Sequence, residues 1–274
     1  MGMIGIWEET TKNPISLIGK AAGTCWGADT TDPNKNYKRG LDCIRSQHGR
    51  TEEWPSVYMV LDEYSARVIR EYYTHIGGAP SRLQESTRYV DCTNFGYVIP
   101  PSIRNCDNPK ALAIYHDIMA AIGYTVAELE DMGIPREDSA MCLPLGMETK
   151  VVVKANLRHL VDMAHQRLCT RAYWEYRNLM KDLKKALKEY SSEWAEVVDI
   201  LFEPKCEYLG YCPEKHSCGR VKRLVDMDCD AAFSLVSSQW DNLSSELKEQ
   251  ITNLILEYTA QYLILLKINV IIII

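Results

Sequence analysis

The sequence predicts an α+β fold in which several helices pack on a mixed β-sheet, followed by a small helical, cysteine-containing appendage at the C-terminal end. Two short runs, Ser-Val-Tyr-Met-Val-Leu at 56–61 and the β-branched Val-Val-Val at 151–153, are typical of strands. Longer segments around them carry apolar residues at helical spacing. The 274 residues, 46% hydrophobic and 25% charged, can bury a sizeable core. We therefore expect a main domain at 1–203 and the appendage at 204–274.

The first half of the chain predicts a strand, a helix and an extended segment, in that order. The strand at 56–61 is followed by Asp62, which can cap a helix that stops at the glycine pair Gly77-Gly78. Residues 84–90 are then expected to be extended before a proline pair closes the segment.

The second half predicts mainly helices. One is expected at about 108–122, and the β-branched strand at 151–153 leads into a long helix from Ala155 to about Tyr190. A further amphipathic helix at 245–266 has the apolar stripe of a packing helix.

The helix predicted from Ala155 to about Tyr190 is expected to carry polar side chains on one face. Asn156, Met163 and Arg167 are spaced so that they fall within roughly 20° of one another around a helix axis. One face would therefore carry an amide and a guanidinium.

Charge and composition exclude several functional classes. The net charge of -6, without a lysine-rich stripe, argues against a nucleic acid polymer as partner. The N-terminal segment shows no secretory signal, so we expect a cytoplasmic protein whose ten cysteines are reduced. The apolar run at 262–274 is interrupted by Lys267 and is too short to cross a bilayer, so no membrane association is expected.

The segment Ser81–Tyr89 is the most informative stretch of the sequence. It places two arginines, two serines, an acid and an amide in nine residues, directly after a helix-ending glycine pair. Arginine binds phosphate through two parallel N–H groups, and serine hydroxyls add shorter contacts. The alternative is a polar loop with solvated arginines, and chemistry alone leaves both interpretations open.

Two well-separated groups of residues decide between them. The first is Ser86-Thr87-Arg88-Tyr89, and the second comprises Leu143-Pro144-Leu145, Asn156-Leu157-Arg158, Arg167 and Ala172-Tyr173-Trp174-Glu175-Tyr176-Arg177. In order and spacing they resemble the Ser-x-Arg-Tyr, Leu-Pro-Leu, Asn-x-Arg, Arg and Ala-Gln-Trp-Glu-Ile-Arg series of flavin-dependent thymidylate synthases. The resemblance covers about residues 14–190.

The resemblance implies a flavoenzyme that methylates deoxyuridylate (dUMP) to thymidylate. FAD would be the cofactor, methylenetetrahydrofolate and NADPH the co-substrates, and a homotetramer the assembly. The implied nucleotide contacts are Glu85, Ser86, Arg88 and Arg167, with Ser86 and Arg88 at the catalytic centre. The implied FAD contacts are His75, Gly77, Gly78, Gln84, Asn156, Arg158 and Asp162, and a structural hydrogen-bonding role is the alternative for His75. Since no neighbouring base is evident to activate Ser86, we expect it to position the pyrimidine rather than attack it.

The sequence also departs from the family pattern. Ile76-Gly77-Gly78 stands where the family has Arg-His-Arg, Ala140 replaces an arginine and Trp54 replaces a frequent histidine. Arg70, Arg82, Arg136 or turn amides could compensate. Two alternatives therefore stay open: another flavin-dependent modification, such as hydroxymethylation of a pyrimidine nucleotide, or a nucleotide-binding protein without catalysis.

The appendage contains a candidate metal site. Cys206, Cys212, His216 and Cys218 would make an acceptable zinc set, but they lack a Cys-x-x-Cys pair. We expect reduced thiols and no metal.

Overall fold

The structure is a computed structural model that describes residues 2–228 and, beyond them, residues 231, 234–235, 248–249, 252–253 and 256. Most of the helix predicted at 245–266, and the whole apolar run at 262–274, lie outside the described residues. The chain divides into two compact units, Met1–Leu209 and Gly210–Ile274.

The first unit is organised around a four-stranded antiparallel sheet with the strand order β1-β2-β4-β3. The strands are β1 (Met3–Ile6), β2 (Ser56–Ser65), β3 (Ser81–Gln84) and β4 (Glu148–Asn156). Burial alternates along β4, so one face of the sheet lies against the core and the other does not.

Helices cover the buried face and extend from it. They are α1 (Pro14–Cys25), α2 (Pro33–Arg45), α3 (Ala66–Tyr72), α4 (Pro101–Arg104), α5 (Lys110–Asp131), α6 (Arg136–Ser139), α7 (Leu157–Arg167), α8 (Trp174–Tyr190), α9 (Ser192–Leu201) and α10 (Lys205–Leu209). Fully buried side chains of α7, α8 and α9, such as Leu160, Tyr176 and Trp194, join the buried residues of β2 and β4 in one hydrophobic core. None of the helices built from described residues is both long and apolar enough for a membrane crossing.

The α+β class is confirmed, but the expected mixed sheet is wrong. Every pairing between the four strands is antiparallel. The reason is visible in the burial pattern, because a sheet with one covered face and one uncovered face suits antiparallel strands, whereas parallel sheets are normally covered on both faces.

The helix predicted to follow Asp62, which is α3 in the structure, begins later than predicted. Asp62 does not cap it: β2 continues to Ser65, whose hydroxyl accepts a hydrogen bond from the Val68 amide at 3.1 Å and caps α3. Asp62 instead pairs across the sheet with Lys150 at 2.8 Å. The strand passes through an irregularity where Glu63 has φ 59°, a conformation uncommon outside glycine.

Other boundaries changed as well. The helix that begins after Pro109 continues to Asp131, beyond the predicted 122. The predicted helix from 155 to 190 is two helices, α7 and α8, and Asn156 is the N-cap of α7 rather than part of it. Asn156 and Arg167 therefore lie at opposite ends of α7, about 16 Å apart along its axis.

Candidate functional site

The Ser81–Tyr89 segment runs along the edge of the sheet and then turns away. β3 pairs with β4, and the Glu85 amide continues the ladder to the Lys150 carbonyl at 2.8 Å. The chain then turns, with the Tyr89 amide donating to the Ser86 carbonyl at 3.0 Å, so the extended conformation expected for 84–90 ends at Glu85. The Ser86 hydroxyl accepts from the Arg88 amide at 3.3 Å. This turn presents the segment's polar side chains at the sheet edge.

Two contacts join Arg88 and the neighbouring Tyr89 to α6. Arg88 Nε contacts Glu137 Oε2 at 2.7 Å, and both side chains are more than half exposed. In the opposite direction, Arg136 donates to the Tyr89 carbonyl at 3.1 Å and contacts Glu130 at 3.3 Å. Arg136, four residues before Ala140, therefore lies against the residue that follows Arg88.

Arg167 occupies a more enclosed position at the end of α7. Its Nε donates to His75 Nε2 at 2.9 Å, and a terminal nitrogen lies 3.5 Å from Glu71 Oε2. The guanidinium stacks over the Tyr176 ring at 4.7 Å from the centroid. Only 22% of the Arg167 side chain is exposed, so its orientation is fixed by three neighbours.

His75 is held in its neutral form. Burial, followed by the charges of Arg167, His159 and Arg82, lowers the pKa of His75 to about 4. Its ring also meets Tyr176 edge-on, with 5.7 Å between the centroids. Sequence reasoning placed His75 beside the flavin, whereas the structure places it against the arginine expected to bind the nucleotide.

Arg82 holds the loop that leads from α3 into Ile76-Gly77-Gly78. Its guanidinium donates to the carbonyls of Tyr73, at 3.2 Å, and His75, and it stacks over the Tyr72 ring at 5.1 Å from the centroid. Within the described part of the chain, the buried Arg82 Nε has no hydrogen-bond partner. The terminal nitrogens of Arg82, which donate to the two carbonyls, hold the loop in place.

A second group of candidate site residues lies at the N-terminal end of α7. The Asn156 side chain accepts from the His159 amide at 2.9 Å and donates to the Gly78 carbonyl at 3.4 Å. Gly78 has φ 74°, and a Cβ there would come within 2.9 Å of Asn156 Oδ1. Arg158 contacts Glu53 at 2.8 Å while remaining 48% exposed. An amide, a guanidinium and exposed glycine backbone thus converge at one helix N-terminus.

Glu52 is a buried carboxyl close to this end that sequence reasoning missed. It is 6% exposed, and burial raises its pKa to about 7, with Arg158 opposing and Asp162 reinforcing the increase. Asp162 itself is exposed. Nothing in the sequence distinguishes Glu52 from Glu53, because only the packing of the short 3-10 turn Thr51–Glu53 separates their environments.

A cleft of about 260 Å³ lies beside the Ser81–Tyr89 segment. Its lining includes Asp62, Glu63, Glu85, Asp91 and Glu148, whereas Lys150 is its one basic residue. Such a cleft disfavours a phosphate and tolerates the uncharged part of a ligand. Gln84 stands at the same edge, where its amide donates to the Thr149 hydroxyl at 3.2 Å.

The candidate zinc ligands do not form a site among the described residues. No group of three or more His, Cys, Asp or Glu side chains in that part of the chain is arranged to hold a metal ion. Cys206 and Cys212 are buried and Cys218 is exposed. Cys206 belongs to the first unit, whereas Cys212, His216 and Cys218 belong to the second.

Solved structures share this fold. The flavin-dependent thymidylate synthase of Helicobacter pylori, complexed with FAD and dUMP, matches with a TM-score of 0.56 and 19% identity over 71% of this chain and 99% of its own. A UMP/dUMP methylase, PolB, from Streptomyces cacaoi, bound with 5-Br dUMP, matches with a TM-score of 0.58 and 18% identity, covering 74% and 96% of the two chains. These matches show that the chain has the fold of these two enzymes.

The sequence identifies the family more closely. Residues 8–191 match the family model for thymidylate synthase complementing protein. The flavin-dependent thymidylate synthase of Geobacter sulfurreducens is 33% identical over 78% of this chain and 94% of its own length. That of Nitratidesulfovibrio vulgaris is 29% identical over 77% and 91%. This chain belongs to the flavin-dependent thymidylate synthase family.

We predict that Glu52 makes the stability of the folded chain depend on pH. Burial raises the pKa of Glu52 in the folded state above its pKa in the unfolded chain. The contribution of protonated Glu52 to stability is therefore fully present below the unfolded-state pKa and is lost as pH rises through about 7. Glu52→Gln, which cannot ionise, should therefore stabilise the protein by on the order of 2 kcal/mol at about pH 8, and by less at about pH 5.5. Urea unfolding midpoints of both proteins measure this.

The exposed Glu9→Gln change is the matched control, because it removes the same charge at a solvated position. It should leave the midpoint unchanged at both pH values. An equal gain for Glu52→Gln at the two pH values would show that ionisation of Glu52 is not the cause.

Proposed function

We propose that this chain is a cytoplasmic flavin-dependent thymidylate synthase that converts dUMP to thymidylate. In the overall reaction, methylenetetrahydrofolate donates its methylene carbon to carbon 5 of the uracil ring, and NADPH, together with a proton from water, supplies the two electrons and the hydrogens that reduce it to methyl. Tetrahydrofolate and NADP⁺ leave. The observation that carries the proposal is the pair Arg88 and Arg167, which stand at the positions the family motifs predict and are each held by a carboxylate.

The two arginines suit an anionic nucleotide because their carboxylate partners can be exchanged. Arg88–Glu137 is exposed and therefore weak, so a phosphate can displace the carboxylate readily. Arg167 is more enclosed and offers a guanidinium already oriented by its neighbours. Ser86 adds a hydroxyl at the turn, and Glu85 lines the acidic cleft that suits the uncharged pyrimidine. In this proposal these residues bind and orient the nucleotide.

The residues at the start of α7 fit FAD. Gly78 leaves a space that a Cβ would fill, next to Asn156, and the partly exposed Arg158 can meet a diphosphate. Gly77, Gln84 and Asp162 would complete the contacts. Glu52 and Glu53 oppose an anion there, so the loss of the family's two arginines should weaken FAD binding. When bound, FAD supplies the redox chemistry.

The function is tested by purifying the full chain, recording its absorption with and without added FAD, and analysing the nucleotide product by mass. We expect a flavin spectrum, and thymidylate formed only when dUMP, methylenetetrahydrofolate and NADPH are all present. A hydroxymethylated product would instead support the alternative modification. Colourless protein that FAD cannot reconstitute, but that still binds dUMP, would leave only the non-catalytic alternative.

We predict that Arg88→Ala and Arg167→Ala each weaken dUMP binding by about 10- to 100-fold, because each removes charge-assisted hydrogen bonds to the nucleotide. FAD retention should change little in either variant. Calorimetric titration with dUMP measures the first effect, and the bound-flavin absorbance measures the second.

Arg45→Ala is the control, because Arg45 is an exposed arginine in the last turn of α2, apart from the site. It should bind dUMP as the unmodified protein does. Unchanged dUMP affinity in both site variants would refute the assignment of the nucleotide to Arg88 and Arg167.

We also propose a homotetramer, supported by the surface of α5. Of the 22 residues in this helix, Met119, Gly123 and Val126 are buried. Ile114, Ile118 and Tyr124 are 65%, 51% and 66% exposed. Ile114 and Ile118 are one helical turn apart, and large apolar side chains exposed in this way are typical of a subunit interface.

We predict that the double change Ile114→Glu and Ile118→Glu lowers the assembly size, because it would bury two uncompensated charges in an interface. Sedimentation velocity should give a four-chain mass for the unmodified protein and a smaller one for the variant. Lys20→Glu, at an exposed position of α1, should leave the mass unchanged. A four-chain mass for the double variant would exclude this face as the interface.

A further inference from the structure

The contact between His75 and Arg167 joins two elements that are distant in sequence. His75 follows α3 in the loop before β3, and Arg167 is the last residue of α7. Arg167 Nε donates to His75 Nε2 at 2.9 Å. The guanidinium has no lone pair to offer, so the imidazole nitrogen must be the acceptor, which requires a neutral ring with its proton on Nδ1.

The surroundings of His75 support a neutral ring from several directions. Burial disfavours a positive charge on the ring most strongly, and Arg167 and His159 from α7 and Arg82 from β3 act in the same direction. Glu71 of α3 contacts Arg167 and thereby balances the guanidinium rather than the imidazole. His75 thus stays an acceptor under physiological conditions.

The contact also determines which donors Arg167 can offer to a ligand. Arginine has five N–H groups in a planar fork. The Nε–H is committed to His75, and the plane of the fork is held over the Tyr176 ring. One terminal nitrogen lies 3.5 Å from Glu71 Oε2, and an anion can replace that carboxylate. The donors on the two terminal nitrogens are therefore the ones that can serve a ligand, and their plane is set before the ligand arrives.

We propose that His75 is a positioning residue for the nucleotide, whose neutral imidazole holds the Arg167 guanidinium over Tyr176 so that its terminal N–H groups meet the anionic nucleotide. The proposal rests on the proposed function, since it takes dUMP as the ligand of Arg167. It moves His75 from the flavin side of the site to the nucleotide side. His75 itself need not touch either ligand.

Two substitutions separate hydrogen bonding from ring packing. His75→Phe keeps a ring against Tyr176 but removes the acceptor, whereas His75→Gln keeps an acceptor but removes the ring. We expect His75→Phe to weaken dUMP binding about tenfold and His75→Gln to remain within about threefold of the unmodified protein. Calorimetric titration of the full chain with dUMP measures both, and thermal melting verifies that each variant is folded.

The matched control is His165→Phe on α7. His165 is likewise a half-buried histidine with a lowered pKa, but its ring stacks with Tyr208, at 4.7 Å between centroids, and not with Arg167. It should leave dUMP affinity unchanged. Equal losses for His75→Phe and His75→Gln would indicate a packing role and overturn the proposal, and so would unchanged affinity in both.

A double-mutant cycle tests whether His75 acts through Arg167. In an Arg167→Ala background, His75→Phe should weaken dUMP binding no further, because the guanidinium it positions is absent. A further tenfold loss in that background would overturn the positioning role. If the unmodified protein binds no dUMP, the proposed function fails. If it binds dUMP but the cycle shows independent effects, only the role of His75 fails.

Discussion

The site depends on the hydrogen-bonded pairing of β4 with strands on both sides. β2 pairs with one edge of β4 and β3 with the other, which fixes Gln84 opposite Val151. The same strand ends at Asn156, where α7 begins. One continuous strand therefore sets the distance between the two proposed halves of the site. Because a one-residue slip would reverse the faces of every side chain, the buried alternation along β4 protects this distance as well as the core.

Ion pairing between neighbours organises the charges of the site. Arg88 contacts Glu137, Arg158 contacts Glu53 and Arg167 contacts Glu71. Each guanidinium is thereby paired with a carboxylate, and in the proposed complexes an anion would exchange one ionic partner for another instead of burying a bare charge. Arg167 is the least exposed of the three arginines. The Tyr176 ring and the His75 imidazole contact its guanidinium and fix the orientation of that group.

The sequence was sufficient for features that local chemistry determines. The strand-like run at 56–61 and the β-branched run at 151–153 lie within β2 and β4. The roles that the family motifs give to Ser86, Arg88, Asn156 and Arg167 stay predictions. The sequence failed where the outcome depends on packing between distant segments. The amphipathic spacing from 155 to 190 continues across the break between α7 and α8, so periodicity alone joined them. The contact of His75 with Arg167 spans 92 residues, and no local pattern encodes it.

Gly78 limits which single substitutions its loop tolerates. A side chain at that position would have to adopt φ 74° and approach Asn156 within 2.9 Å, while Asn156 caps α7 and holds the loop carbonyl. An arginine at position 78, which the family resemblance would place there, would therefore conflict with the conformation of the loop and with the side chain that caps α7. Residue 78 and Asn156 are thus coupled, so a larger residue at 78 requires an accompanying shift of the loop or of the cap.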